Sequence, residues 1–245
     1  MSFIMEIFKN FHYNRQKEVK RWCTLLLLET LLNQKKIQDR AQAQQQLLQL
    51  MKELNQQYQK YLISPFTVTA GDEFQALFLP NSDMFQIMEQ LSMSFAPYEI
   101  RFGIGAGDMI TEINKEQSIG SDGPAYWLAR EAINYVHDKN DYGINHISVS
   151  LADEEVGQTI NAILAACSFI QSKWTDIQYD VLKQLLAENI YDETFSHKEM
   201  AKLLGITPSA FNKRIKASGL KIYLRNKRVA MNLMLNAIEK EAKHV

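Results

Sequence analysis

Cysteine is nearly missing from this 245-residue chain: Cys23 and Cys167 are the only two, and no CxxC spacing occurs. That rules against a disulfide framework and a thiolate zinc site, and makes a reducing cytoplasm the expected compartment. The five histidines are scattered, with no HExxH or Cys/His metal spacing. Neither a GxSxG nucleophile elbow nor a GxxxxGKS/T phosphate loop is present. Long apolar runs are lacking too. The longest, Trp22 to Leu32, is broken by Glu29 and Thr30, and a membrane span needs roughly 20 residues. Lys17, Lys20 and Arg21 precede it as in a signal peptide, but no small-residue cleavage site follows. A buried strand and no membrane association are expected. Net charge is also small, at -1, which fits neither disorder nor a uniformly basic coat for nucleic acid.

What is present is an ordinary globular composition, 46% hydrophobic and 22% charged, with enough length for a real core. The small net charge hides a split. From Lys173 onward there are 13 Lys and Arg against 8 Asp and Glu, and before it 14 against 20. Between Gly205 and Arg228 lie seven basic residues (Lys213, Arg214, Lys216, Lys221, Arg225, Lys227, Arg228) and no acidic one. An acidic sensing or enzymatic part joined to a part that meets a polyanion is the implied design.

The hydrophobic pattern divides the chain accordingly. Residues 1–21 show no clear period and read as an extension. Trp22–Leu28 reads as a strand, and Leu47, Met51, Leu54, Tyr58 and Tyr61 mark one face of a helix. Phe66–Thr69 and Phe74–Leu79 read as a hairpin around Gly71-Asp72-Glu73. Ser82 is the expected cap of a second helix, and Ile100–Ile104 a further strand. Gly103-x-Gly105-x-Gly107 reads as a tight turn. Pro124 opens a helix with Ala125, Leu128, Ala129, Ala132, Ile133 and Val136 inward, and Asn145–Leu151 is a last strand. This order predicts an α+β fold: a ferredoxin-like βαββαβ domain over 22–152, helices on one face. A connecting helix follows over 153–175, with Ile160–Ile170 docking the two parts. An all-α helix-turn-helix domain occupies 176–245.

The sharpest motif lies in that last part. Ser196-His197-Lys198-Glu199 has the form of a capping box, and Gly205 stands where a helix must stop. Thr207-Pro208 restarts a helix with Phe211 and Ile215 inward, and Gly219 ends it. Two short helices with a basic outer face on the second make a helix-turn-helix. Glu199 to Thr207 resembles the bacterial version. The expected contacts to double-stranded DNA are Thr207, Ser209, Asn212, Lys213, Arg214 and Lys216. Asn212 suits adenine and lysine guanine, while Arg214 and the later basic residues suit phosphates. A helix over Arg225–Lys243, with Val229, Leu233, Leu235 and Ile238 as its stripe, would support a homodimer reading paired half-sites.

In the acidic part, Asp72 and Glu73 at a turn suit Mg²⁺ beside a nucleotide triphosphate. Backbone amides from Gly120 to Gly123 suit an anion, although Asp122 there reads equally as a helix cap. Arg130 reads as paired with a local acid, and Tyr126 and Trp127 as core. The segments GDEFQALF (71–78), RFGIGAGDMITEIN (101–114) and IGSDGPAYWLAREAI (119–133), with the tail, resemble the SatD family of bacterial proteins, which brings no established activity to transfer. More distantly, this part is similar to class III and GGDEF nucleotidyl cyclases. That resemblance implies a palm with two metal-binding carboxylate positions and a nucleotide site drawn from Gly71, Gly120, Asp122 and Arg130. Asp72 matches the hairpin carboxylate, with Glu73 beside it. Glu29-Thr30 stands where the first-strand Gly-Asp belongs. Tyr126 replaces the Asn expected four residues before the transition-state Arg, here Arg130. The expectation is therefore a cytoplasmic regulator with a degenerate cyclase-like sensing or dimerisation domain. The competing readings are a Mg²⁺-dependent nucleotidyl cyclase or phosphotransferase and a non-catalytic protein-docking module.

Overall fold

The computed structural model describes residues 23–30, 40–70, 73–80 and 83–244; the expected 1–21 extension and the Ser82 cap lie outside them. The apolar run after Trp22 forms β1 (Cys23–Thr30), hydrogen-bonded on both sides, as a strand with no polar alternation requires. Helix α1 (Arg40–Gln57) follows, then β2 (Leu62–Ala70), β3 (Glu73–Phe78), α2 (Met84–Phe95), β4 (Ile100–Gly107), α3 (Pro124–Lys139) and β5 (Ile147–Ser150). The strands make one five-stranded sheet in the order β2-β3-β1-β4-β5. Only β4 and β5 pair in parallel. Pro65, which cannot donate to a ladder, sits in edge strand β2, where the register slips.

Alternation along the strands decides what each face holds. Phe74, Ala76 and Phe78 of β3 and Phe102, Ile104 and Ala106 of β4 belong to the main core. Leu47, Met51 and Leu54 of α1, Tyr58 just after it, and Met84, Ile87, Met88, Leu91 and Phe95 of α2 close over them. The opposite face is covered by α3, through Ala125, Ala129 and Ile133 against Leu77, so helices do not lie on one face alone. The glycines of β4 explain how α3 gets there. A Cβ at Gly103 would stand 2.6 Å from the Ile133 nitrogen, and one at Gly105 would overlap the Ala129 nitrogen. These glycines are strand residues spaced by two, stripping side chains from one face so that a helix backbone can rest on it. They are not the tight turn that their spacing suggests.

Helices make up the rest: α4 (Glu154–Gln171), α5 (Asp176–Ala187), α6 (His197–Leu203), α7 (Pro208–Ser218) and α8 (Leu220–His244). Ile160 and Leu164 of α4 enter the main core, while Cys167, one and two turns on, enters a second core. That second core gathers Val181, Leu182 and Leu185 of α5, Met200 and Ala201 of α6, and Phe211 and Ile215 of α7. Helix α8 serves both: Leu220, Tyr223 and Leu224 in the second, Ala230, Met231, Met234, Ala237 and Ile238 in the first. Its inward stripe therefore packs within the chain. Val229, expected on that stripe, is exposed. No described helix is long and apolar enough to cross a membrane.

Candidate functional site

The α6–α7 pair is built by local chemistry. The Ser196 hydroxyl accepts from the Glu199 amide at 3.3 Å and the Thr207 hydroxyl from the Ala210 amide at 3.2 Å, so each helix begins on a capped turn. Gly205 (φ 64) and Gly219 (φ 64) take left-handed conformations that stop α6 and α7. Phe211 and Ile215 are buried against α5 and α6, which turns the opposite face of α7 outward. Thr207, Ser209, Asn212, Lys213 and Lys216 are exposed on α7 and its cap, and Arg214 is half-buried.

Asn212 is less free than its exposure suggests. His197 is held in contact with the rings of Phe195 and Phe211, at 5.5 and 5.4 Å, and places Nδ1 2.5 Å from Asn212 Oδ1. The carbonyl oxygen only accepts, so Nδ1 carries the proton. Bidentate reading of adenine uses that oxygen, which DNA would then share with His197.

The basic run divides in two. Arg225 forms a forked pair with Glu193, at 2.9 and 2.7 Å to one oxygen, and Arg228 pairs with Asp192. The Arg225 guanidinium holds the Glu193 carboxyl below its usual range, and Arg225 is raised in return. Lys227 is buried beside Glu89. These three basic residues after Arg214 already pair with carboxylates of the chain, Lys227 from a buried position and Arg225 and Arg228 from exposed ones. Lys221 lies over the Phe195 ring at 5.0 Å. Among the described residues, Lys213, Arg214 and Lys216 form no ion pair.

On the α3 face, two expected site residues meet. Arg130 donates to both oxygens of Glu73, at 2.9 and 2.6 Å, and the Thr69 hydroxyl lies 3.3 Å from the same carboxylate. With both oxygens engaged, a Mg²⁺ ion at Glu73 would compete with the Arg130 guanidinium for the carboxylate. In the backbone register Glu29 stands opposite Glu73 of β3 and Arg101 of β4. Gly71 and Asp72 lie outside the described residues. Gly120 (φ 83) is exposed and touches nothing that a Cβ would meet. The Asp122 carboxylate, just before α3, accepts from the Gly123 amide and from Trp127 Nε1, both at 2.8 Å. Trp127, expected in the core, is 55% exposed. No group of three or more His, Cys, Asp or Glu among the described residues is placed to hold a metal ion.

A polar cluster that sequence reasoning missed sits between the two cores. Glu89 of α2 accepts from the Tyr223 hydroxyl and from Gln171 Nε2 at 3.1 Å, with Lys227 Nζ 3.5 Å away. The Lys227 ammonium also faces the rings of Phe85 and Tyr223, at 5.4 and 5.3 Å. Burial, and then the nearby Glu89 charge, raise the Tyr223 and Tyr191 hydroxyls well above the usual tyrosine range. A glutamate inside the apolar stripe of α2 was the available signal, for Met88, Glu89 and Leu91 are all buried.

No curated protein and no solved structure matches the chain. The family model of the SatD family matches residues 25–234, a span that takes in all of the sheet but the first two residues of β1, the α6–α7 pair and most of α8. The chain belongs to the SatD family.

Proposed function

We propose that this SatD-family protein is a cytoplasmic DNA-binding regulator, with α6–α7 as its helix-turn-helix and α7 entering the major groove. The observation that carries the reading is the outward face of α7, where Ser209, Asn212, Lys213 and Lys216 project together without an internal counter-charge. Lys213 and Lys216 supply phosphate or guanine contacts, and the capped N-terminus at Thr207 adds a favourable dipole toward a phosphate. The sheet domain is read as ferredoxin-like, because the segment β1 to β4 has strand order β4-β1-β3-β2, that of a split βαβ unit. Its cyclase-like site is degenerate: Glu73 is held by Arg130. Its role is sensing or dimerisation, with two copies reading paired half-sites.

The test is duplex affinity by fluorescence anisotropy at several salt concentrations. Each phosphate contact contributes a slope of about 0.9 in log K against log salt. Replacing Lys213 and Lys216 by alanine together lowers the slope by about 1.8 if both meet phosphates, or relaxes sequence preference if they read bases. Absence of salt-dependent DNA retention, or retention unchanged in the double variant, overturns the reading in favour of a protein-docking bundle.

A further inference from the structure

A cavity of about 480 Å³ opens between α2, α4 and α5 and the edge of the sheet where β4 and β5 begin. This volume lies within the range of small-molecule sites. It is on the face of the sheet away from Glu73 and Arg130, since Ile100 and Phe102, which line it, belong to the main core. Met88, Met93 and Ile147 complete an apolar wall. Methionine side chains adapt to flat ring systems, and their sulfur atoms make favourable contacts with aromatic edges.

The polar groups in this wall decide the charge of an occupant. Glu89 and Lys227 both line the cavity and neutralise each other, and the Glu89 oxygens are already taken by Tyr223 and Gln171. An added anion would meet the Glu89 carboxylate and an added cation the Lys227 ammonium, each buried without a fresh counter-charge. Glu99, Asp176 and Lys183 also line the cavity, and Lys183 pairs with Asp180 at 3.6 Å. His146 also lines the cavity, and its Nδ1 is buried with no hydrogen-bond partner among the described residues. Burial lowers the imidazole pKa, which favours the neutral ring.

We infer that this cavity is a binding site for an uncharged, chiefly apolar small molecule with a flat ring body. The site stands whether or not α7 binds DNA, and its test uses no DNA. It would place a sensed ligand away from the nucleotide positions at Gly120, Asp122 and Arg130.

The probe is N-phenyl-1-naphthylamine, uncharged and fluorescent in apolar surroundings, titrated into the full chain. The expected result is a saturable rise with one site per chain. Ser92→Trp, on the exposed mouth of the cavity, abolishes it while the thermal midpoint stays near that of the parent; Ala96→Phe, also at an exposed lining position, serves as the second blocking variant. The sulfonated analogue 1-anilinonaphthalene-8-sulfonate, with the same rings and one negative charge, binds at least about tenfold more weakly, a difference of about 1.4 kcal/mol. The inference is overturned by the absence of a saturable signal, by a signal that survives in both folded variants, or by equal affinity for the charged analogue.

Discussion

Replacing Lys227 by methionine tests the cluster that joins the two cores. Methionine keeps most of the stem and removes only the ammonium. The Lys227 and Glu89 side chains are 6% and 7% exposed, so solvent cannot take over the lost partner. Glu89 would keep two neutral donors, Tyr223 and Gln171, but lose its cation. Breaking a buried pair on one side costs about 3–5 kcal/mol, whereas exposed pairs are worth about 0–1. The neutral donors soften the loss, so the lower end, about 3 kcal/mol, is expected. For a chain of this size that corresponds to a fall of roughly 6–12 °C in the midpoint. Urea unfolding followed by tryptophan fluorescence is suited to the measurement, since Trp174 lies 5.0 Å from the Tyr223 ring. Glu89→Gln should cost a similar amount, and the double variant clearly less than the two losses added. A Lys227→Met variant within about 0.5 kcal/mol of the parent, or strictly additive losses, would refute the claim that the pair acts as a desolvated unit.

Two further outcomes follow from packing and burial. Gly105→Ala, whose methyl would overlap the backbone of α3 at Ala129, should cost at least about 1–3 kcal/mol by chemical denaturation. Gly157→Ala in α4 meets nothing nearer than 3.7 Å and should be neutral or stabilising by up to about 1 kcal/mol; equal effects at the two sites would refute the glycine argument. Burial raises the Cys167 thiol to about 11, so in a Cys23→Ser background a disulfide reagent at neutral pH should label the folded chain far more slowly than the urea-unfolded one. Rapid native labelling would contradict that burial.

What could be read in the residues was whatever rests on neighbours in sequence. The stripe Leu47, Met51, Leu54 fixes the buried face of α1, and Thr207-Pro208 with Gly219 brackets α7, because capping and periodicity act within a few residues. The glycines of β4 were misread because their partner, the α3 backbone, arrives much later in the chain, at Ala129 for Gly105 and Ile133 for Gly103. Arg225, Lys227 and Arg228 looked like a polyanion-binding run, and their neutralising acids Glu193, Glu89 and Asp192 come from other elements. Local reading likewise assigned Trp127 to the core, yet the indole lies outside and bonds Asp122. The pairing of Arg130 with a nearby acid was legible in kind, but its identity as Glu73, 57 positions away, was set by the sheet.

Helix α8 leaves the end of α7 after a single glycine and runs unbroken for 25 residues, donating its first turns to one core and its middle to the other. The two halves of the molecule are thus mortised to a common beam. A protease nick or nonsense codon within that beam would strip a wall from both chambers at once, so the α6–α7 pair and the sheet should be lost in one cooperative event, not shed as separate fragments.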